Sequence, residues 1–222
     1  MAPRIALIHA VEVAIAPITS AFARLWPEAR CTNLFDDSLS PDRAAEGEGD
    51  LTPRMTKRIN MLADYAALTG ADGILFTCSA FGPAIEEAAR RLPIPVLKPN
   101  EAMFDQALAA GRRIGMLATF GPAVATMEAE FREAAQAARS DAELETVLVA
   151  GAMDALKGGD AETHNRLVAE AAPKLRHCDA VLLAHFSTSR AKAAVEDALG
   201  WEVLTSPTSA VTAIRSRISK AT

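Results

Sequence analysis

The feature that most constrains this chain is a segment that occurs twice. Residues 72–78 read Asp-Gly-Ile-Leu-Phe-Thr-Cys, and residues 179–185 read Asp-Ala-Val-Leu-Leu-Ala-His, at a shift of 107 residues. The opening segment 4–8 matches residues 113–117 at a shift of 109. A period of this length is too long for a solenoid repeat, so it predicts a chain made of two similar halves.

Each copy is a short apolar run that ends on a side chain capable of proton transfer. The run predicts a buried parallel strand, and it ends at Cys78 in the first half and at His185 in the second. Gly82 and Pro83 then open a helical pattern that continues to residue 92. A thiol at the start of a helix lies near unpaired N–H groups and the positive end of the helix dipole, which favour the reactive thiolate.

Strand and helix patterns alternate along the whole chain, which predicts an α/β fold with parallel sheets flanked by helices. The predicted strands are residues 4–9, 31–35, 73–78, 95–97, 113–118, 145–150, 179–185 and 202–204. The predicted helices are residues 16–25, 52–68, 83–92, 101–110, 122–137, 160–175, 189–199 and 208–219. Residues 36–50 are rich in Asp, Ser, Gly and Glu without an apolar period, so we expect a long loop there. We expect the two halves to pack tightly, with a cleft between them.

Small polar and proton-transferring side chains collect at the predicted carboxyl ends of the strands. Parallel α/β sheets place their ligands at that edge. The residues there are Thr77, Cys78, Ser79, Thr119, His185, Ser187 and Thr188, with His9 at the end of the first strand. The Ser and Thr residues can also cap helices, which is compatible with ligand binding at the same place.

Composition and charge exclude several classes of protein. The 222 residues carry a formal net charge of −5 and no basic patch, so we expect no nucleic-acid partner. No apolar run approaches the roughly 20 residues that span a bilayer, and the N-terminus has no signal-like apolar region, so we expect a cytoplasmic protein without membrane contact. Cys31, Cys78 and Cys178 have no metal-ligand spacing, so we predict neither a disulfide framework nor a metal site. We expect Cys31 and Cys178 to be buried structural thiols, and His164 and His177 to be surface or helix-end residues.

The sequence resembles the aspartate/glutamate/hydantoin racemase superfamily, which also includes maleate isomerases and arylmalonate decarboxylases. The resemblance rests on Thr77-Cys78-Ser79 after an apolar strand, on Asn33-Leu-Phe-Asp-Asp37 after the opening strand, and on the repeat at His185. It covers essentially the whole chain. It implies two pseudo-symmetric lobes with an active-site cleft between them, the first formed by residues 1–98 plus 206–222 and the second by 99–205. It also implies catalysis without a cofactor and a homo-oligomer.

The resemblance also suggests roles for individual residues. Racemases of this superfamily usually carry one cysteine in each lobe, on each face of the substrate, whereas here His185 occupies the second-lobe position. By the same resemblance, the residues around the first-lobe cysteine and the Thr119 turn bind the substrate carboxylate, and Phe120 shapes the pocket. The candidate substrate-binding residues are Thr77, Ser79, Thr119, Phe120, Ser187, Thr188, His9 and Asn33.

Three functions are consistent with these residues. Removing a hydrogen or a carboxylate from a carbon next to a carbonyl group leaves an enolate-like carbanion, and cysteine (pKa about 8.5) and histidine (about 6.5) both exchange protons near neutral pH. The first function is a cofactor-independent racemase, epimerase or isomerase in which Cys78 and His185 act as acid and base. The second is a decarboxylase in which Cys78 alone protonates the carbanion. The third is a catalytically silent protein that binds a small carboxylate or amide-like molecule, such as an amino acid or a derivative.

Overall fold

The computed structural model describes residues 2–47 and 49–221, which form two compact units. Unit one comprises the chain up to Asn100 and the segment from Ala210 onward, and unit two is Glu101–Ser209. Each unit contains one four-stranded sheet in which every pair of neighbouring strands is parallel. The predicted class, α/β with two similar parallel sheets flanked by helices, is confirmed.

Unit one begins with strand β1 and alternates strands with helices. Its strands are β1 (Arg4–His9), β2 (Arg30–Phe35), β3 (Gly73–Phe76) and β4 (Val96–Leu97), in the order β2-β1-β3-β4. Its helices are α1 (Ile15–Leu25), α2 (Leu39–Ala45), α3 (Pro53–Leu68) and α4 (Gly82–Arg91), and 3-10 turns occupy Glu12–Ala14 and Ser79–Phe81. All four residues of β3 are buried because the strand lies between β1 and β4. The segment that follows β3 therefore leaves the sheet from an interior position.

Helix α3 shows how sequence sets the local structure that supports this sheet. The Thr52 hydroxyl caps the helix by accepting a hydrogen bond from the backbone N–H of Met55 at 3.2 Å, and Pro53 begins the helix. Met55 and Ile59 lie one turn apart on the buried stripe and join the apolar cluster on one face of the sheet. This packing fixes the sheet in place beneath the strand ends that carry the candidate residues.

Unit two repeats the same strand order with additional short helices between the strands. Its strands are β5 (Arg113–Ala118), β6 (Glu143–Leu148), β7 (Ala180–Leu183) and β8 (Leu204–Thr205), in the order β6-β5-β7-β8. Its helices are α5 (Glu101–Ala110), α6 (Val124–Ala137), α7 (Ala152–Lys157), α8 (Ala161–Ala171), α9 (His185–Thr188) and α10 (Lys192–Leu199), with 3-10 turns at Gly121–Ala123, Ala172–Leu175 and Ser189–Ala191. The last helix, α11 (Ser206–Ala221), starts in unit two and supplies the closing segment of unit one. Among the described residues, no helix is both long enough and apolar enough to cross a membrane.

The two units repeat one another down to single hydrogen bonds. The backbone N–H of Asp72 donates to the carbonyl of Arg4 at 2.7 Å, and that of Asp179 donates to the carbonyl of Arg113 at 2.7 Å. Each carboxylate also accepts from the N–H of the same arginine, at 2.7 and 2.9 Å respectively. These backbone bonds, with the Arg113 guanidinium, lower the pKa of Asp179 to about 2. The internal repeat found in the sequence is thus a structural repeat with the same register.

Two local predictions were wrong. Residues 36–50 are not a continuous loop, because helix α2 lies within them. The Arg58 guanidinium on α3 donates to the carboxylates of Asp36 and Asp42, so a long-range ionic contact holds a segment that has no apolar period of its own. His164 is not a surface residue, because it is completely buried in α8, where its ring nitrogen Nδ1 contacts the Asn165 side chain at 2.9 Å.

Candidate active site

Three polar side chains form a chain of hydrogen bonds at the strand ends of unit one. His9, the last residue of β1, is completely buried. Its Nδ1 lies 2.9 Å from the Thr77 hydroxyl, and its Nε2 lies 2.9 Å from Oδ1 of Asn33 on β2. Burial lowers the pKa of His9, an effect that the Asn33 hydrogen bond opposes. The predicted residues His9, Asn33 and Thr77 are therefore in direct contact, around an imidazole that is neutral at pH 7.

Cys78 lies immediately beyond this network. The backbone N–H of Thr77 still donates to the carbonyl of Ile8 at 3.0 Å, after which Cys78 continues in an extended conformation (φ −129°, ψ 125°). The thiol residue is partly exposed, as is Ser79. The turn that follows Cys78 is a 3-10 turn, and α4 itself begins only at Gly82. The sequence pattern predicts that Cys78 lies at the first turn of the helix. In the structure, a 3-10 turn separates Cys78 from α4.

The strand ends of unit two bring together a second set of predicted residues. Thr119 follows β5, Thr188 ends α9, and their buried hydroxyl oxygens lie 3.0 Å apart. Ser187 is also buried. Phe120 is 39% exposed at this edge of the sheet.

Lys157 was not among the predicted site residues. Its ammonium nitrogen lies 5.6 Å from the centroid of the Phe120 ring, a cation–π contact. The residue belongs to α7, a helix that the sequence pattern did not reveal. Lys157 is an exposed basic side chain beside the Phe120 ring, so an anionic ligand can reach it.

His185 has a backbone conformation that side-chain-bearing residues rarely adopt. Its φ is +66°, in the left-handed region that normally favours glycine, whereas the repeat-equivalent Cys78 is extended. Such a conformation costs of the order of 1–3 kcal/mol and concentrates at functional sites. The Ala184 N–H still donates to the Leu117 carbonyl at 2.9 Å, so the strand is regular up to the residue before His185. The strain is confined to the residue that carries the imidazole.

The imidazole of His185 contains a buried polar atom without a hydrogen-bond partner. Within residues 2–47 and 49–221, such side-chain atoms are Arg4 Nε, Thr146 Oγ1, His164 Nε2 and His185 Nε2. Of these four, only His185 lies just beyond the carboxyl end of a strand, two positions after the last residue of β7. Leaving a buried polar group unsatisfied costs about 1–3 kcal/mol. A ligand that hydrogen-bonds to the His185 nitrogen would supply this missing partner.

Burial also sets the charge of His185. It lowers the pKa of His185 to about 4, because the charged imidazolium loses its hydration. The sequence-based expectation used the ordinary histidine value near 6.5. With this pKa the ring is neutral at pH 7.

Two further polar residues that were not predicted from the sequence also lie beyond the carboxyl ends of strands, where parallel α/β sheets place their ligands. Asn100, which follows β4, and Ser206, which follows β8, are both buried polar residues. Ser206 lies 3.5 Å from the sulfur of Met103 through its hydroxyl oxygen. Both residues lie within three positions of the ends of the short predicted strands 95–97 and 202–204.

The sequence matches the family model described as Asp/Glu/Hydantoin racemase over residues 16–214. The chain therefore belongs to the Asp/Glu/hydantoin racemase family. No curated protein matches the sequence at a significant level.

Solved structures of the same architecture include racemases and a decarboxylase. Allantoin racemase from Klebsiella pneumoniae superimposes with a TM-score of 0.72 at 14% identity, covering 98% of this chain and 88% of that one. An aspartate racemase homologue from Pyrococcus horikoshii OT3 gives 0.72 at 14% identity, covering 99% and 100%. A mutant of arylmalonate decarboxylase gives 0.68 at 18% identity, covering 98% and 94%. At these identities the likeness establishes a shared fold.

Proposed function

We propose that this protein is a cofactor-independent racemase, epimerase or isomerase that exchanges a proton at the carbon next to a carboxylate or carbonyl group. Cys78 and His185 are the proton-transfer groups in this proposal. The observation that carries it is His185, a strained residue at a strand end whose enclosed Nε2 lacks a partner. Membership of the racemase family supports the general reaction class.

The proposed chemistry uses His185 in both protonation states. In one direction, the neutral imidazole removes the α-proton and becomes an imidazolium, while the Cys78 thiol gives its proton to the opposite face of the carbon. In the other direction, the Cys78 thiolate removes the proton and the imidazolium returns one. An imidazolium is unfavourable in the empty site because burial lowers the His185 pKa to about 4. A bound carboxylate favours the charged form and raises this pKa toward neutrality, so the acidic substrate itself prepares the acid that the reaction needs.

The remaining predicted residues would bind the substrate and the carbanion formed from it. Negative charge develops on the carboxylate or carbonyl oxygens when the α-proton leaves, and fixed hydroxyl and N–H donors stabilise such charge. Ser79 and Ser187 lie beside Cys78 and His185 in the chain and supply hydroxyls. The Thr119–Thr188 pair is a buried hydroxyl network, and His9, Asn33 and Thr77 form a second polar network. These donors suit small carboxylates or amide-like molecules, such as amino acids and hydantoins.

The test is proton NMR in D₂O. The purified protein is mixed with single-enantiomer amino acids, hydantoins and substituted malonates, beside the variants Cys78→Ala and His185→Ala. Cys31→Ala is the matched control, because that thiol lies within β2 rather than at a strand end. Loss of an α-proton signal that requires Cys78 and His185 but not Cys31 supports the proposal. Exchange of the same enantiomer that persists at the wild-type rate in both Cys78→Ala and His185→Ala contradicts it.

One observation favours a decarboxylase as the second candidate. A histidine with a pKa of about 4 suits a neutral group that binds and orients the substrate. In that case a malonate-type substrate loses CO₂, the carbanion takes the proton of the Cys78 thiol, and water reprotonates the thiolate. Release of CO₂ that depends on Cys78 and survives His185→Gln would support this alternative. Ligand-induced stabilisation without any turnover would instead indicate a binding protein.

A further inference from the structure

Three potential metal ligands converge in unit two, at a distance along the sheet from His185. Glu145 is the third residue of β6, and His177 and Cys178 precede β7. His177 and Cys178 therefore lie on the amino-terminal side of β7, whereas His185 follows its carboxyl end. The proposed function does not use this group of side chains, here called the Glu-His-Cys cluster.

The ligand atoms of the cluster are close enough to share one ion. His177 Nε2 lies 2.9 Å from Glu145 Oε2 and 3.8 Å from Cys178 Sγ, and one ligand atom from each of the three residues lies within 4.8 Å of the other two. Zn²⁺ binds sulfur at about 2.3 Å and nitrogen or oxygen at about 2.0–2.2 Å, so two tetrahedral ligands of one ion are roughly 3.3–3.6 Å apart. The two separations, 2.9 and 3.8 Å, lie on either side of this spacing.

The backbone around the two consecutive ligands is held from both sides. The N–H of Cys178 donates to the Leu175 carbonyl at 3.0 Å, and the N–H of Asp179 donates to the Arg113 carbonyl at 2.7 Å. A Cβ atom added to Gly115 of β5 would lie 3.1 Å from Cys178 Sγ, so the sulfur packs directly against the strand. Ligands fixed by surrounding contacts need little reorganisation when an ion binds.

Exposure gives the cluster an entry path from solvent. The side chains of Glu145 and His177 are each 53% exposed, whereas Cys178 is buried beneath them. An exposed His–Glu contact contributes about 0–1 kcal/mol to stability at most, so it adds little to the stability of the fold. An ion that meets the imidazole and the carboxylate at the surface can reach the sulfur below.

We propose that Glu145, His177 and Cys178 bind one divalent transition-metal ion, and that Zn²⁺ is the preferred ion. Thiolate, imidazole and carboxylate are the ligands that Zn²⁺ takes in proteins, while Mg²⁺ and Ca²⁺ prefer sites made of oxygen alone. On binding, the Cys178 thiol releases its proton to solvent and its sulfur bonds to the ion, and water fills the fourth position. Burial raises the pKa of the Cys178 thiol, and the charge of the ion drives this deprotonation.

The experiment uses the full chain stripped of metal with a chelator. Zn²⁺ is titrated by calorimetry, and Co²⁺ by absorption spectroscopy, where a thiolate-to-cobalt charge-transfer band reports sulfur coordination directly. We expect one ion per chain, and loss of the charge-transfer band in Cys178→Ser. His177→Gln and Glu145→Gln should lower Zn²⁺ affinity by at least the roughly 10–100-fold that loss of an outer ligand contact causes.

Matched controls separate this site from other thiols and carboxylates. Glu143→Gln changes an exposed carboxylate on the same strand, and Cys31→Ser and Cys78→Ser remove the other two thiols. None of the three should alter the stoichiometry or the cobalt band. Absence of saturable binding, binding that survives both Cys178→Ser and His177→Gln, or a band that requires Cys78 would overturn the proposal. The His177 and Glu145 variants change exposed side chains, so they remain informative even if Cys178→Ser fails to fold.

Discussion

Acidification below pH 6.5 should destabilise the folded protein through His185, and its burial sets the size of the effect. The pKa of His185 is lowered from 6.5 to about 4. As the pH falls through this window, the unfolded chain takes up a proton that the folded chain does not, so the free energy of unfolding decreases with decreasing pH. At about 1.36 kcal/mol per pKa unit, the loss is roughly 2 kcal/mol at pH 5 and about 3 kcal/mol once the pH is below 4.

Urea unfolding at pH 7.5 and pH 5 measures this loss in the wild type and in His185→Gln, whose side chain does not titrate. The wild type should lose roughly 2 kcal/mol more than the variant between the two pH values. His9 also has a pKa lowered by burial, but it is present in both proteins and cancels in the difference. Cys31→Ser controls for a general effect of substitution on the pH slope, since it retains His185. Equal losses in the wild type and His185→Gln would refute the reasoning.

Three further predictions concern packing and thiol chemistry. Gly111→Ala should destabilise the protein by about 1–3 kcal/mol in urea unfolding, because the new Cβ would lie 2.4 Å from the Asp179 side chain. Thr119→Val should cost roughly 1–3 kcal/mol in the same assay, because it leaves the buried Thr188 hydroxyl without its partner. Burial raises the pKa of the Cys31 thiol to about 11, so mass spectrometry should find it alkylated by iodoacetamide at pH 8 roughly a hundredfold more slowly than a free thiol.

Each of these three predictions has its own control and its own contradicting result. Gly82→Ala controls for Gly111→Ala, since its added Cβ meets nothing closer than 4.0 Å, and equal losses would contradict the steric argument. The double variant Thr119→Val/Thr188→Val should cost less than the sum of the two single variants, and strict additivity would argue against the hydroxyl pair. Alkylation of Cys31 as fast as in urea-unfolded protein would show that its thiol is not protected by burial.

The sequence revealed those parts of the fold that depend on local pattern and on the repeat. The 107-residue shift between Cys78 and His185 is matched by equivalent strand pairings, Ile5 with Gly73 in unit one and Ile114 with Ala180 in unit two. Strand ends are visible as the point where an apolar run meets a polar residue. This is why the polar residues of both candidate sets could be selected before the structure was known.

The rest depends on contacts between distant residues. Helix α2 has no apolar period. Arg58 of α3 holds it through Asp42 and holds the segment before it through Asp36. The residues around His185 in the sequence do not predict its left-handed backbone or the enclosure of its Nε2. Glu145 meets His177 only because β6 and β7 both flank β5, so ligand spacing along the chain could not show the Glu-His-Cys cluster.

The most direct test of the central claim is α-proton exchange measured separately for the two enantiomers of a substrate found in the NMR panel. If Cys78 and His185 each exchange a proton on one face of the carbon, Cys78→Ala should slow initial exchange from one enantiomer more than from the other. His185→Ala should show the opposite preference. Because general acid–base groups contribute roughly 10²–10⁴ in rate, the difference should be readily measured. Equal slowing of both enantiomers by Cys78→Ala, with no effect of His185→Ala, would contradict the account.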